Sequence, residues 1–124
     1  MRIVVPTNDN NGYLSKMGAH FGKANFYTII EVENNEITDV DVVQNPGHSG
    51  GACGNAVSNI LALKPDALIV VGIGPNPAMG FNNAGLPVYV DKESLTVEES
   101  INKFLQNKLP RVMNQGTCGI KQWK

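Results

Sequence analysis

Four side chains in this sequence stand out for metal or nucleophile chemistry: His20, His48, Cys53 and Cys118, its full set of histidines and cysteines. Imidazole and thiolate are favoured ligands for transition metals. No two of the four stand at the close spacing of a C-x₂-C zinc site, so spacing alone gives a weak zinc signature. His20 lies in Gly18-Ala19-His20-Phe21-Gly22, where glycines permit a bulky ligand to approach the backbone. The competing reading is a loop histidine that caps backbone groups while Phe21 packs, and spacing alone favours it. His48 heads His48-Ser49-Gly50-Gly51, just ahead of a helix. Successive glycine amides there, Gly50 and Gly51 included, form an anion nest that the helix dipole reinforces. The loop lacks the lysine of a Walker motif, and its glycines equally suit a plain turn.

Cys53 reads two ways. It continues the apolar stripe of its helix, as a small core residue would. It also opens that helix, where a thiol's pKa falls and the sulfur becomes a better ligand. Cys118, in Gly116-Thr117-Cys118-Gly119, is either an exposed thiol or a further soft ligand that folds back. Gly72, Gly74 and Asn76 form a third cluster, after an apolar strand. As a dinucleotide fingerprint it fails, because the third glycine of that pattern falls on Pro77. Asp9 and Asp91 are expected to be solvated. No nucleophile stands near a base, and no carboxylate cluster suits two-metal hydrolysis, so the sequence names no acid–base pair and reads as non-enzymatic.

The elements that must position these residues follow from hydrophobic pattern. Ile3-Val4-Val5 is a short β-branched run, a strand buried on both faces. A long polar stretch, Thr7 to Asn25, follows as a loop of the functional kind. Phe26 to Val32 and Ile37 to Gln44 are strands joined by an Asn34-Asn35 hairpin turn. Asp39 and Asp41 alternate with valines and mark the second of these as an edge. Cys53, Ala56, Val57, Ile60 and Leu61 trace a helical stripe that Pro65 stops. Ala67 to Ile73 is a second buried strand. Asn76 is expected to cap a short helix with Pro77 at its first position and Gly85 past its end. Val88-Tyr89-Val90 is the last strand. A capping box, Thr96 and Glu99, opens a helix with Val97, Ile101, Phe104 and Leu105 inward. From Pro110 onward the pattern dissolves into a polar tail.

The order β, β, β, α, β, α, β, α predicts a mixed five-stranded α/β sheet, order 3-2-1-4-5, with only the second strand antiparallel. The loops carrying His20, His48 with Cys53, and Gly72 with Gly74 and Asn76 then leave one carboxyl edge, where open α/β sheets bind ligands.

Composition narrows the function further. The chain has 124 residues, 42% of them hydrophobic, and a net charge of −1. One globular domain is expected, with no basic excess for nucleic acid. The two cysteines cannot make a disulfide scaffold, and no apolar run resembles a signal peptide or membrane span, so a cytoplasmic protein with reduced thiols is expected. Residues 24–63 hold five acids and no Lys or Arg, whereas residues 100–124 hold five bases and no acid. Each is a solvated face or a partner's docking surface.

Several motifs in order resemble one family. They are Val4-Val5-Pro6-Thr7, Ala19-His20-Phe21-Gly22-Lys23-Ala24, Phe26-Tyr27, the His48-to-Ala52 loop, Val71-Gly72-Ile73-Gly74-Pro75 and Ala84-Gly85-Leu86-Pro87-Val88-Tyr89. Together they resemble the dinitrogenase iron–molybdenum cofactor-binding domain over residues 1–109, leaving 110–124 as a C-terminal tail. The resemblance implies a ribonuclease H-like α/β/α fold without nuclease carboxylates. It implies non-catalytic binding, carriage or assembly of an iron–sulfur or molybdenum–iron–sulfur cluster. The family's cluster-binding histidine maps onto His20, with His48 second. Cys53 and Cys118 are not general family positions, but they add sulfur to the ligand set. The expected partner is a metallocluster-assembly or acceptor protein, and the expected state a monomer or weak homodimer. Two other readings stay open: a small-anion or nucleotide binder using the glycine loops, and an interaction module with an empty crevice.

Overall fold

The computed structural model describes residues 1–18, 24–44 and 53–112, with backbone alone for 53–56, 75, 76 and 112. Six strands form one sheet in the order β3-β2-β1-β4-β5-β6. β1 (Arg2–Thr7) is central, between β2 (Phe26–Glu33), antiparallel to it, and β4 (Ala67–Val70), parallel. β3 (Glu36–Gln44) is the outer strand beside β2, and β5 (Val88–Val90) runs parallel to β4. This is the mixed α/β sheet that the sequence predicts, in the predicted order. The hairpin turn is as expected: Asn34 and Asn35 both adopt positive φ, 54° and 63°, the backbone of a type I′ turn.

The helices cover both faces. α1 (Cys53–Ala62) and α2 (Pro75–Asn83) cover one, where Ile60, Ala78 and Phe81 join Val4, Tyr27, Leu68 and Val88 in a core. α3 (Val97–Leu105) covers the other, where Val97 and Ile101 join Ile3, Val5, Ile30 and Ile69. Neighbours in β1 thus serve opposite cores: Val4 faces the first and Ile3 and Val5 the second. That two-sided burial is why the strand is continuously apolar. Among the described residues no helix is long and apolar enough to cross a membrane.

Four local expectations need correction. The strand expected over Ala67 to Ile73 ends at Val70. Ile73 is buried for a different reason, as part of the α2-side core. α2 is capped by Gly74, not Asn76, and Pro75 stands at its start. The fixed φ of proline is suited to the first helical position, and here that proline is Pro75 rather than Pro77. α1 stops through Lys64 as well as Pro65: Lys64 takes a φ of +57°, since a residue ahead of proline is disfavoured in the right-handed helical region. Finally, Arg111–Val112 form a sixth strand, β6, antiparallel to β5. Two residues on a polar tail leave no periodicity to read.

Within the stretch from Thr7 to Asn25, residues 7–18 are more ordered than a loop reading suggests. Residues 16–18 run antiparallel to the end of β1, with Asn8 N–H donating to Lys16 O at 2.9 Å and Gly18 N–H to Pro6 O at 2.9 Å. Thr7 already faces Phe26 on its β2 side, so this strap occupies the β4 side. Its far edge is stitched to the β5–α3 loop, with Met17 N–H donating to Leu95 O and Val97 N–H to Ser15 O, each at 3.0 Å.

Candidate functional site

The carboxyl edge gathers the ends of β1, β3, β4 and β5. β3 and β4 run parallel to β1, so the helices that follow them, α1 and α2, both begin at this edge and on one face. A helix start presents unpaired N–H groups and about half a positive charge. Neither α1 nor α2 has an acid in its first turn, whereas α3 carries Glu98 and Glu99 there. Two helix starts with no acid in their first turn therefore share one rim.

Gly74 caps α2 in extended backbone, with φ −77° and ψ 167°. Among the described residues a Cβ there would meet only Pro77 Cδ, at 3.8 Å, an ordinary contact. The fold does not demand glycine at this position, so its smallness is free for a ligand. Gly18 is the opposite case. A Cβ on it would lie 3.0 Å from Ala24 Cβ and 3.3 Å from Asn8 Oδ1. Gly18 and Ala24 thus meet at the end of β1, and the chain between them carries His20.

His20, His48, Gly50, Gly51 and Cys118 lie outside the described residues, as does the basic tail beyond Val112. Cys53 is the first residue of α1 and Asn76 the second of α2, with backbone alone described for both. Gly72 and Gly74 are described, both half-buried on the β4–α2 connection. Among the described residues no group of three or more His, Cys, Asp or Glu is placed to hold a metal ion.

Two polar groups near this edge escape sequence reading. Tyr27 is fully buried, and among the described residues its hydroxyl has no hydrogen-bond partner. Burial pushes that phenol up to about 12. Asp91, expected to be solvated, is 3% exposed just after β5. Its Oδ1 accepts from Glu93 N–H at 3.0 Å and Ser94 N–H at 2.9 Å. Lys103 Nζ stands 3.8 Å from the same oxygen. Burial pushes its carboxyl pKa up, but the Ser94 and Glu93 N–H donors, with the Ser94 and Ser100 side chains beside it, outweigh burial and hold the group below its ordinary value. The spacing Asp91-x-x-Ser94 ahead of a helix is the signal that marks such a turn.

Helix starts and glycine connections on the carboxyl rim of an α/β/α domain are features that such folds use to hold anionic ligands. The chain belongs to the family described as dinitrogenase iron–molybdenum cofactor, whose sequence model matches residues 1–107. It is 32% identical over 113 residues to the uncharacterized protein MJ0580 of Methanocaldococcus jannaschii, covering 90% of this chain and 91% of that one. The fold is similar to the crystal structure of PH0822, with a TM-score of 0.76, 25% identity, and 90% and 96% of the two chains covered. It is also similar to the apo form of the orange protein of Desulfovibrio gigas, with a TM-score of 0.81, 22% identity, and 94% and 95% covered.

Proposed function

We propose that this protein is a non-catalytic carrier of an iron–sulfur or molybdenum–iron–sulfur cluster, which it receives from or delivers to an assembly or acceptor protein. The observation that carries the reading is the convergence of two acid-free helix starts, α1 and α2, on one rim of a chain in the iron–molybdenum cofactor family. Clusters of this kind carry net negative charge on sulfide or oxo groups, which backbone N–H groups and helix ends stabilise. His20 is the principal ligand in this reading and His48 the second. Amides of Gly50, Gly51, Gly72 and Gly74, with Asn76, face the cluster's charge. Cys53 and Cys118 are the sulfur ligands available to it. A carrier has to release its cargo, so few covalent ligands and many weak amide contacts suit the task.

Anaerobic reconstitution with iron, sulfide and molybdate, followed by the visible spectrum, tests the reading. A His20→Ala, His48→Ala double variant is expected to lose most of the charge-transfer absorption. Unchanged uptake in that variant removes the histidine site. A phosphate-bearing ligand binding to the apo protein in isothermal titration, with no cluster taken up, supports the nucleotide reading instead.

A further inference from the structure

We propose that a second site, on the α3 side of the same sheet edge, binds a small organic anion: a carboxylate with a short apolar body. β1 and β4 pair only at Ile3 with Ala67 and Val4 with Leu68. Beyond that they part, because the strap of residues 16–18 takes the place of β4 beside the end of β1. The connections leaving these two neighbouring strands go to opposite sides, β1 to β2 and β4 to β5. Such a reversal of strand order opens a crevice, and open α/β sheets use it for ligands.

Here the crevice is a cleft of about 350 Å³, between Asn8 just past β1 and Val71 just past β4. That is near the lower end of ligand-sized cavities. Lys16 and Lys92 stand on its walls, and among the described residues neither ammonium has a salt-bridge partner. The nearby acids are committed elsewhere. Asp9 accepts from Lys16 N–H and the Asn11 side chain. Asp91 and Glu93 face Lys103. Two free cations lining one concavity call for an anion. Met17, Val71 and Leu95 supply apolar wall, so the anion has a hydrocarbon part. Leu95 is 73% exposed, an apolar side chain left without cover at the cleft mouth. Inorganic oxoanions would leave that wall wet.

The test is a ¹H–¹⁵N NMR titration of the full apo chain with hexanoate, acetate, hexanol and sulfate. Hexanoate is expected to shift the amides of Lys16, Met17, Val71, Lys92 and Leu95. It should bind roughly tenfold tighter than acetate, the worth of burying about two of its four additional methylenes in the open cleft. A Lys16→Gln, Lys92→Gln variant, altered only at exposed side chains, should weaken hexanoate by roughly tenfold and keep the wild-type spectrum elsewhere. Sulfate or hexanol matching hexanoate overturns the proposal, as does unchanged affinity in the double variant or shifts confined to Gly72–Gly74. Cluster uptake plays no part in the titration, so its failure leaves the carrier reading separately testable.

Discussion

Replacing Asp91 by alanine is expected to destabilise the fold by about 2–4 kcal/mol. The figure comes from two backbone donors, Glu93 N–H at 3.0 Å and Ser94 N–H at 2.9 Å, that lose a charged acceptor. Each such bond contributes about 1.5–3 kcal/mol, or about 3–6 for the two, and the figure is discounted below that sum because the Glu93 N–H is only partly buried. Asp91→Asn keeps an acceptor at Oδ1 and should cost about 1 kcal/mol. The same residue sets an acid dependence. Its folded-state pKa lies below the ordinary value of 3.8, so its stabilisation is fully present above that value and is lost as pH falls through the lower folded one. Urea unfolding of wild type, D91A and D91N, from about pH 7 down to about pH 3, reads both effects. The gap between wild type and D91N should narrow toward the acid end. A D91A variant within about 0.5 kcal/mol of wild type, or a gap constant across that range, refutes the argument.

Tyr27→Phe should leave stability at neutral pH within about 0.5 kcal/mol, or raise it, because the hydroxyl it removes is buried without a partner. The phenol's pKa is raised from 10.0 to about 12, so its alkaline contribution is intact below 10.0 and fades as pH rises toward 12. The variant should lack that part of the alkaline decline in a thermal melt. Gly18→Ala should cost about 1–3 kcal/mol, since the new Cβ meets Ala24 Cβ at 3.0 Å. Gly74→Ala meets only Pro77 Cδ at 3.8 Å and should match wild type in a urea melt while weakening cluster uptake. A destabilised Gly74→Ala variant would return that glycine to a structural role.

The sheet order was legible because the decisive signals are local and strong. Two fully apolar β-branched runs had to lie at the centre, and Asn34-Asn35 accepts the positive φ of a tight hairpin. The capping of α3 was equally plain: Thr96 Oγ1 accepts from Glu99 N–H at 3.4 Å, while Glu99 Oε1 reaches back to Leu95 N–H at 2.9 Å. What stayed hidden depends on contacts far apart in sequence. The strap of residues 16–18 has no hydrophobic period, and its order comes from backbone bonds to Pro6, Asn8 and Leu95. Asp91 looked like one scattered acid because its burial depends on the packing around β5, although the Asp91-x-x-Ser94 spacing does mark the local turn. β6 is two residues long and owes its strand geometry to β5. At the rim, the sequence put Gly72 and Gly74 after β4 and opened α1 at Cys53, but it started α2 two residues late. It gave no hint that Gly18 is required by packing whereas Gly74 is not.

Elemental analysis of the protein purified without oxygen tests the carrier reading most directly. Iron with inorganic sulfide, with or without molybdenum, at a fixed ratio to protein and lost from the His20→Ala, His48→Ala variant, is the predicted result. Protein that comes through the same preparation free of iron, molybdenum and sulfide, and takes none up on reconstitution, contradicts it.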